Sequence, residues 1–106
     1  MEEDAAEGSE DILALGGNIE LSGFNSLDRS SMFILKKIVG SYVRRISSKT
    51  EKLEKVRLTM KPLHSSGFEL NAKLIDNGKV YASEVSDRNL FFAVDKVMDK
   101  IENMLK

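Results

Sequence analysis

The side chains in this sequence that are best suited to binding chemistry are its lysines and arginines. Residues 27–61 hold ten of them and only three acids, whereas residues 1–26 hold seven acids and no base. Residues 62–106 hold six bases and seven acids. The three segments therefore carry about −7, +7 and −1, which sum to the formal net charge of −1. A change of charge sign within one small chain predicts a polyanionic partner for the basic segment.

Lys37 and Arg44 are the pair best placed to contact phosphate. They lie in a predicted helix whose apolar residues recur at the i, i+3, i+4, i+7 spacing. At about 100° per residue both point away from the apolar face, and Lys36 and Arg45 flank that face. The small residues Gly40–Ser41 between them would let a sugar–phosphate backbone approach closely. Two interpretations stay open for this surface, a solvated charged face and a phosphate-contacting face.

The sequence gives little indication of a catalytic site or a metal site. There is no cysteine, and the single histidine, His64, lies in a predicted loop without a Ser-His-Asp or Cys-His arrangement around it. Asp95 and Asp99 lie four residues apart on one helix face and could form a carboxylate pair or a metal site. Two acids on a solvated helix flank are more typical of surface charge. We expect no enzyme, no metal site and no cofactor.

Composition predicts one globular domain preceded by an acidic tail. The chain has 106 residues, of which 42% are hydrophobic and 31% charged, and no apolar run reaches membrane-spanning length. We predict that residues 1–17 form a disordered tail and residues 18–106 a single domain. Two interpretations of the tail stay open: it simply keeps the protein soluble, or it folds back on the basic helix and competes with the polyanionic partner. The acidic start is unlike a signal peptide, so we expect a cytoplasmic protein that does not bind membranes.

The periodicity of apolar residues predicts the element order β-α-β-β-β-α. The predicted elements are a strand at Asn18–Phe24, a helix capped by Asn25, Ser26 or Asp28 and ending at Ile46, strands at Val56–Lys61, Phe68–Ile75 and Lys79–Val85, and a helix capped by Asp87 or Asn89 at Leu90–Leu105. This order predicts an α+β fold, a two-layer sandwich with two helices packed on one face of a four-stranded mixed sheet. The first β-α-β unit should place its two strands parallel and adjacent.

Asn77–Gly78 is the strongest hairpin signal in the chain. Pairing Asp76 with Lys79 across a two-residue turn puts Leu74 opposite Tyr81 and collects the apolar residues on one face. A slip of one residue would move these apolar side chains to the other face of the sheet. The apolar pattern therefore specifies the register.

The last helix carries a predicted buried stripe. Its members are Leu90, Val94, Val97, Met98, Ile101, Met104 and Leu105. Phe33 and Phe92 project away from the buried stripes of their helices. We expect them to help the two helices pack side by side, and the alternative is a surface for a partner.

Two stretches of the chain resemble the ribosome hibernation promoting factors, also called protein Y or ribosome-associated inhibitors. Ile19–Gly23 is similar to the opening strand of that family, an apolar-x-apolar-Thr/Ser-Gly run that leads into the first helix. Leu90–Ile101 is similar to the final helix, where Met/Leu-Tyr-x-Ala-Ile-Asp is followed by Asp-Lys-Leu one turn later. Tyr81–Ser83 fits the strand before it. The resemblance covers roughly residues 18–106.

The resemblance implies a stress-response factor that binds rRNA of the small ribosomal subunit in the mRNA channel and tRNA sites and inhibits translation. The family uses basic residues of its helices against rRNA phosphates. By position, the implied RNA-binding residues here are Lys36, Lys37, Arg44, Arg45, Lys49, Lys52, Lys96 and Lys100. This chain departs from the family in its acidic extension, in having Phe91 in place of a tyrosine, and in lacking the C-terminal dimerisation domain of long members.

A second function stays open, a protein–protein interaction module that keeps the fold without binding RNA. The low net charge and the partly apolar outer face of the hairpin, with Val80 and Ala82, favour it. Such a module could form a homodimer through the open sheet face, so the chain is predicted to be a monomer or a weak homodimer. Whether the helix cations form one patch discriminates between the two functions.

Overall fold

Seven regular elements form the part of the chain that the computed structural model describes, residues 12–14 and 18–105. In chain order they are β1 (Ile12–Ala14), β2 (Ile19–Ser22), α1 (Arg29–Ser47), β3 (Leu53–Pro62), β4 (Phe68–Asp76), β5 (Lys79–Asp87) and α2 (Leu90–Met104). The predicted tail, apart from residues 12–14, lies outside the described residues. No helix in the described ranges is both long enough and apolar enough to cross a bilayer.

The strands form one mixed sheet in the order β1-β2-β3-β4-β5. Strands β2 and β3 are parallel, and all other neighbours are antiparallel. The predicted β-α-β-β-β-α order, the α+β class and the parallel first pair are therefore confirmed. The short strand β1 adds an edge to the four predicted strands, and its register places Ile12 beside Ser22.

Helix α1 begins after Asp28, whose side chain accepts a backbone N–H that has no carbonyl partner in the first turn of the helix. Asp28 is the N-cap, and its Oδ1 accepts the Ser31 backbone N–H at 2.8 Å. Hydrogen bonding from the Ser31 side chain, and then from its backbone N–H, lowers the pKa of the Asp28 carboxyl. The buried side chains of the helix are Leu35, Val39, Tyr42, Val43 and Ile46. Because these residues occupy one face, the lysines and arginines between them face solvent.

The β4–β5 hairpin has the predicted register. Asp76 pairs with Lys79, and Leu74 pairs with Tyr81. Asn77 has a φ of 53° and Gly78 a φ of 85°, as a type I′ turn requires at both central positions.

The core lies between the sheet and the two helices. Its fully buried strand residues include Leu21, Val56, Leu58, Leu70 and Leu74. The prediction that Met104 belongs to the buried stripe of α2 is wrong, since this side chain is 46% exposed. The helix ends at Met104, and the C-cap residue Leu105 is buried instead.

The helices contact each other through polar side chains rather than through Phe33 and Phe92. Those two rings are 61% and 62% exposed, so the expectation that they pack the helices together is wrong. The Tyr42 hydroxyl donates to Asp95 Oδ1 at 2.6 Å, and further along Arg45 contacts Glu102. Contacts in this order mean that α1 and α2 run in the same direction side by side.

Candidate nucleic-acid interface

Three cations of α1 share one exposed surface. Lys36, Lys37 and Arg44, with Gly40–Ser41 between them, line a shallow depression of about 340 Å³. We call these five residues the α1 cationic face. None of the three cations forms an ion pair with a carboxylate of residues 18–105. The face therefore presents three positive charges to solvent around two small residues, a surface that suits a phosphate backbone.

Arg45 and Lys49 lie on the flank of α1 that contacts α2, where Glu102 binds both. Arg45 Nε and Nη2 lie 3.3 Å from the Glu102 carboxylate oxygens, and Lys49 Nζ lies 2.9 Å away. The Glu102 side chain is only 11% exposed. Hydrogen bonds from Arg45 and Lys49 lower the pKa of Glu102, which is therefore ionised at neutral pH. These two cations are partly neutralised within the protein.

Asp95 and Asp99 each accept a hydrogen bond from a side chain of α1 or α2. Asp95 accepts the Tyr42 hydroxyl, and burial together with this carboxylate raises the pKa of Tyr42. Tyr42 therefore stays a neutral donor at physiological pH. Asp99 Oδ2 accepts the Asn103 amide at 3.3 Å. Within residues 12–14 and 18–105, no three histidine or acidic side chains are grouped to hold a metal ion.

The remaining predicted RNA-binding residues, Lys96, Lys100 and Lys52, lie outside the α1 cationic face. Lys96 Nζ lies 2.6 Å from Asp87 Oδ2, and this contact lowers the pKa of Asp87. Lys100 Nζ donates to the Glu84 carbonyl oxygen at 3.3 Å. Lys52 is exposed between α1 and β3. Of the eight predicted residues, the structure thus gathers three on the α1 cationic face and ties four to α2 or β5 partners.

Two further cations, Arg29 and Arg57, were not among the predicted RNA-binding residues. Arg29, the first residue of α1, is exposed and lines a neighbouring depression with Lys36. Its position could be recognised only once the helix start was known. Arg57 lies on the outer sheet face, where Lys73 is its cross-strand neighbour and Glu20 Oε1 lies 4.0 Å from its Nε.

If this surface binds RNA, replacing Glu102 by Gln is expected to raise the affinity for rRNA about 3- to 10-fold at low salt, because Arg45 and Lys49 lose the carboxylate that neutralises them. Affinity would be measured by titration of labelled rRNA. Glu54→Gln is the matched control, since Glu54 is exposed and the substitution changes the net charge equally. Equal gains in both variants would exclude Arg45 and Lys49 from the interface.

Comparison with known proteins identifies a fold but no sequence family. No protein-family model matches the chain, and no curated protein matches it. Among solved structures, the chain is similar to the crystal structure of the N-terminal domain of Protein Y from Thermus thermophilus. The TM-score is 0.63 at 16% identity, over 89% of this chain and 97% of that chain. The chain therefore has the fold of the Protein Y N-terminal domain, as the order of its helices and strands had suggested.

Proposed function

We propose that this protein is a non-catalytic factor that binds rRNA of the small ribosomal subunit in the cytoplasm and inhibits translation. The observation that carries the proposal is the α1 cationic face, where Lys36, Lys37 and Arg44 are exposed and unpaired within residues 18–105. The fold shared with the Protein Y domain and the resemblance of its first strand and last helix to hibernation factors support the same function.

The chemistry of this surface suits folded RNA better than a small molecule. Lysine and arginine on a shallow face displace counterions from phosphates, and this gain does not depend on base sequence. Lys36, Lys37 and Arg44 would supply the main contacts. Arg45 and Lys49 would contribute after exchanging Glu102 for phosphate, and Lys52, Lys96 and Lys100 would lie at the periphery. Recognition would depend on RNA shape and backbone position.

The test is co-sedimentation of the protein with purified small ribosomal subunits across a salt series. Phosphate contacts from the three cations of the α1 cationic face predict that affinity falls roughly 20- to 40-fold between about 50 mM and about 200 mM salt. Large subunits at the same RNA concentration serve as the control for nonspecific binding. Absence of binding to small subunits at low salt would overturn the proposal.

The alternative function, a homodimer that pairs through the open sheet face, has one observation in its favour. Val80 on this face is 56% exposed. The same face also carries the charged side chains of Arg57, Lys73 and Glu20, and burying charges between two copies costs free energy unless each is paired. Sedimentation equilibrium that shows a stable dimer without RNA affinity would favour this alternative.

A further inference from the structure

Phe33 is an exposed aromatic ring beside the α1 cationic face. Its side chain is 61% exposed, and Lys37 Nζ lies 5.0 Å from the centre of the ring. The ring lines a depression of about 410 Å³ that also contains Leu27 and Met32. Lys36 lines both this depression and the α1 cationic face. A depression with an aromatic wall therefore adjoins the proposed phosphate contacts.

The depression has charged as well as apolar walls. Asp28, Arg29 and Lys36 line it together with Leu27, Met32 and Phe33. The two cations could hold a phosphate at its edge, whereas the Phe33 ring offers a flat apolar face to a base. Lys36 and Lys37 stand next to the ring and could hold the phosphate of the same nucleotide. Stacking of bases on aromatic side chains, combined with a cationic surface for the backbone, is the general mode of binding single-stranded nucleic acid.

We propose that Phe33 stacks against an unpaired base of the RNA that the α1 cationic face binds. The inference extends the proposed function by naming its RNA class, since a base can reach Phe33 only when it is not in a duplex. The protein should therefore prefer single-stranded or looped RNA over duplex RNA with the same number of phosphates.

Phe92 provides a matched control on the other helix. It is 62% exposed, as Phe33 is, and no lysine or arginine of the described chain lies over its ring. If exposure of an aromatic ring were sufficient, the two positions would behave alike. If the combination of ring and neighbouring cations matters, only Phe33 should affect RNA binding.

The first experiment compares Phe33→Ala, Phe33→Leu and Phe92→Ala in binding to a short unstructured RNA, to duplex RNA of equal phosphate number and to inorganic polyphosphate. Both Phe33 variants should lose roughly 5- to 100-fold in affinity for the unstructured RNA. Affinity for polyphosphate should be unchanged in every variant, and Phe92→Ala should bind RNA as the unaltered protein does. Equal losses for RNA and polyphosphate would overturn stacking, because the ring would then act only by positioning Lys37.

The second experiment gives a direct signal from the ring position. The chain contains no tryptophan, so Phe33→Trp introduces a single tryptophan, which can be excited separately from the two tyrosines. Its emission should be quenched by unstructured RNA and not by polyphosphate. RNA binding without quenching, together with full affinity in Phe33→Ala, would overturn the stacking inference and leave the proposed function standing. Failure of the unaltered protein to bind any RNA would overturn both.

Discussion

A protein carrying Lys37→Glu and Arg44→Glu is expected to lose about 100-fold in affinity for small ribosomal subunits at about 50 mM salt. Both side chains are exposed on the α1 cationic face and point away from the core. The substitutions remove two phosphate contacts and place two acids against the RNA backbone. Co-sedimentation over a salt series would measure the loss, and the salt dependence of any remaining binding should be shallower than in the unaltered protein.

The matched control is Lys61→Glu/Arg88→Glu. Lys61 at the end of β3 and Arg88 before α2 are exposed, and neither forms an ion pair within residues 18–105. The control replaces one lysine and one arginine, so its net charge is the same as that of the test variant. Equal losses in both variants would show an effect of net charge alone and would remove α1 as the site.

Gly23→Ala is expected to lower the free energy of unfolding by roughly 3 kcal/mol. Gly23 has a φ of +83°, a conformation that costs an alanine free energy, and a Cβ there would overlap the backbone carbonyl oxygen of Met60. Because the obstacle is the backbone of β3, neither side can move without disturbing the parallel β2–β3 pair. Urea unfolding followed by circular dichroism would measure the change.

Gly40→Ala is the opposing control for Gly23→Ala. Gly40 lies within α1, and a Cβ there meets no atom within 4 Å. Alanine is favoured over glycine in a helix by about 1 kcal/mol, so this variant should be stabilised. If Gly23→Ala unfolded at the same urea concentration as the unaltered protein, the close approach of Gly23 to Met60 would not be a constraint on the fold.

The charge distribution explains how a chain with a net charge of −1 could bind RNA. The acids of the described chain are used locally, as Glu102 is against Arg45 and Asp87 is against Lys96. The α1 cationic face has no such partner there. Over the distances at which phosphates are bound, the local charge matters more than the total, because salt screens charges beyond about 10 Å.

The sequence by itself determined the features that depend on neighbours along the chain. The turn at Asn77–Gly78 specified the register of Asp76 with Lys79, and the apolar spacing specified which face of α1 is buried. These features follow from local backbone geometry and from side-chain periods of two and 3.6 residues, which can be read directly from residue order.

Only the tertiary structure decided which cations are available and which aromatic rings are exposed. Arg45 and Lys49 have the same residue types as Arg44 and Lys37, but Glu102, more than fifty positions further along, binds the first pair. Phe33 and Lys37 are neighbours because they lie four residues apart on α1, but the exposure of Phe33 depends on how the helices pack. Contacts between distant elements depend on how helices pack on the sheet, and no spacing along the chain encodes them. That packing leaves the α1 cationic face and the Phe33 ring exposed on neighbouring surfaces.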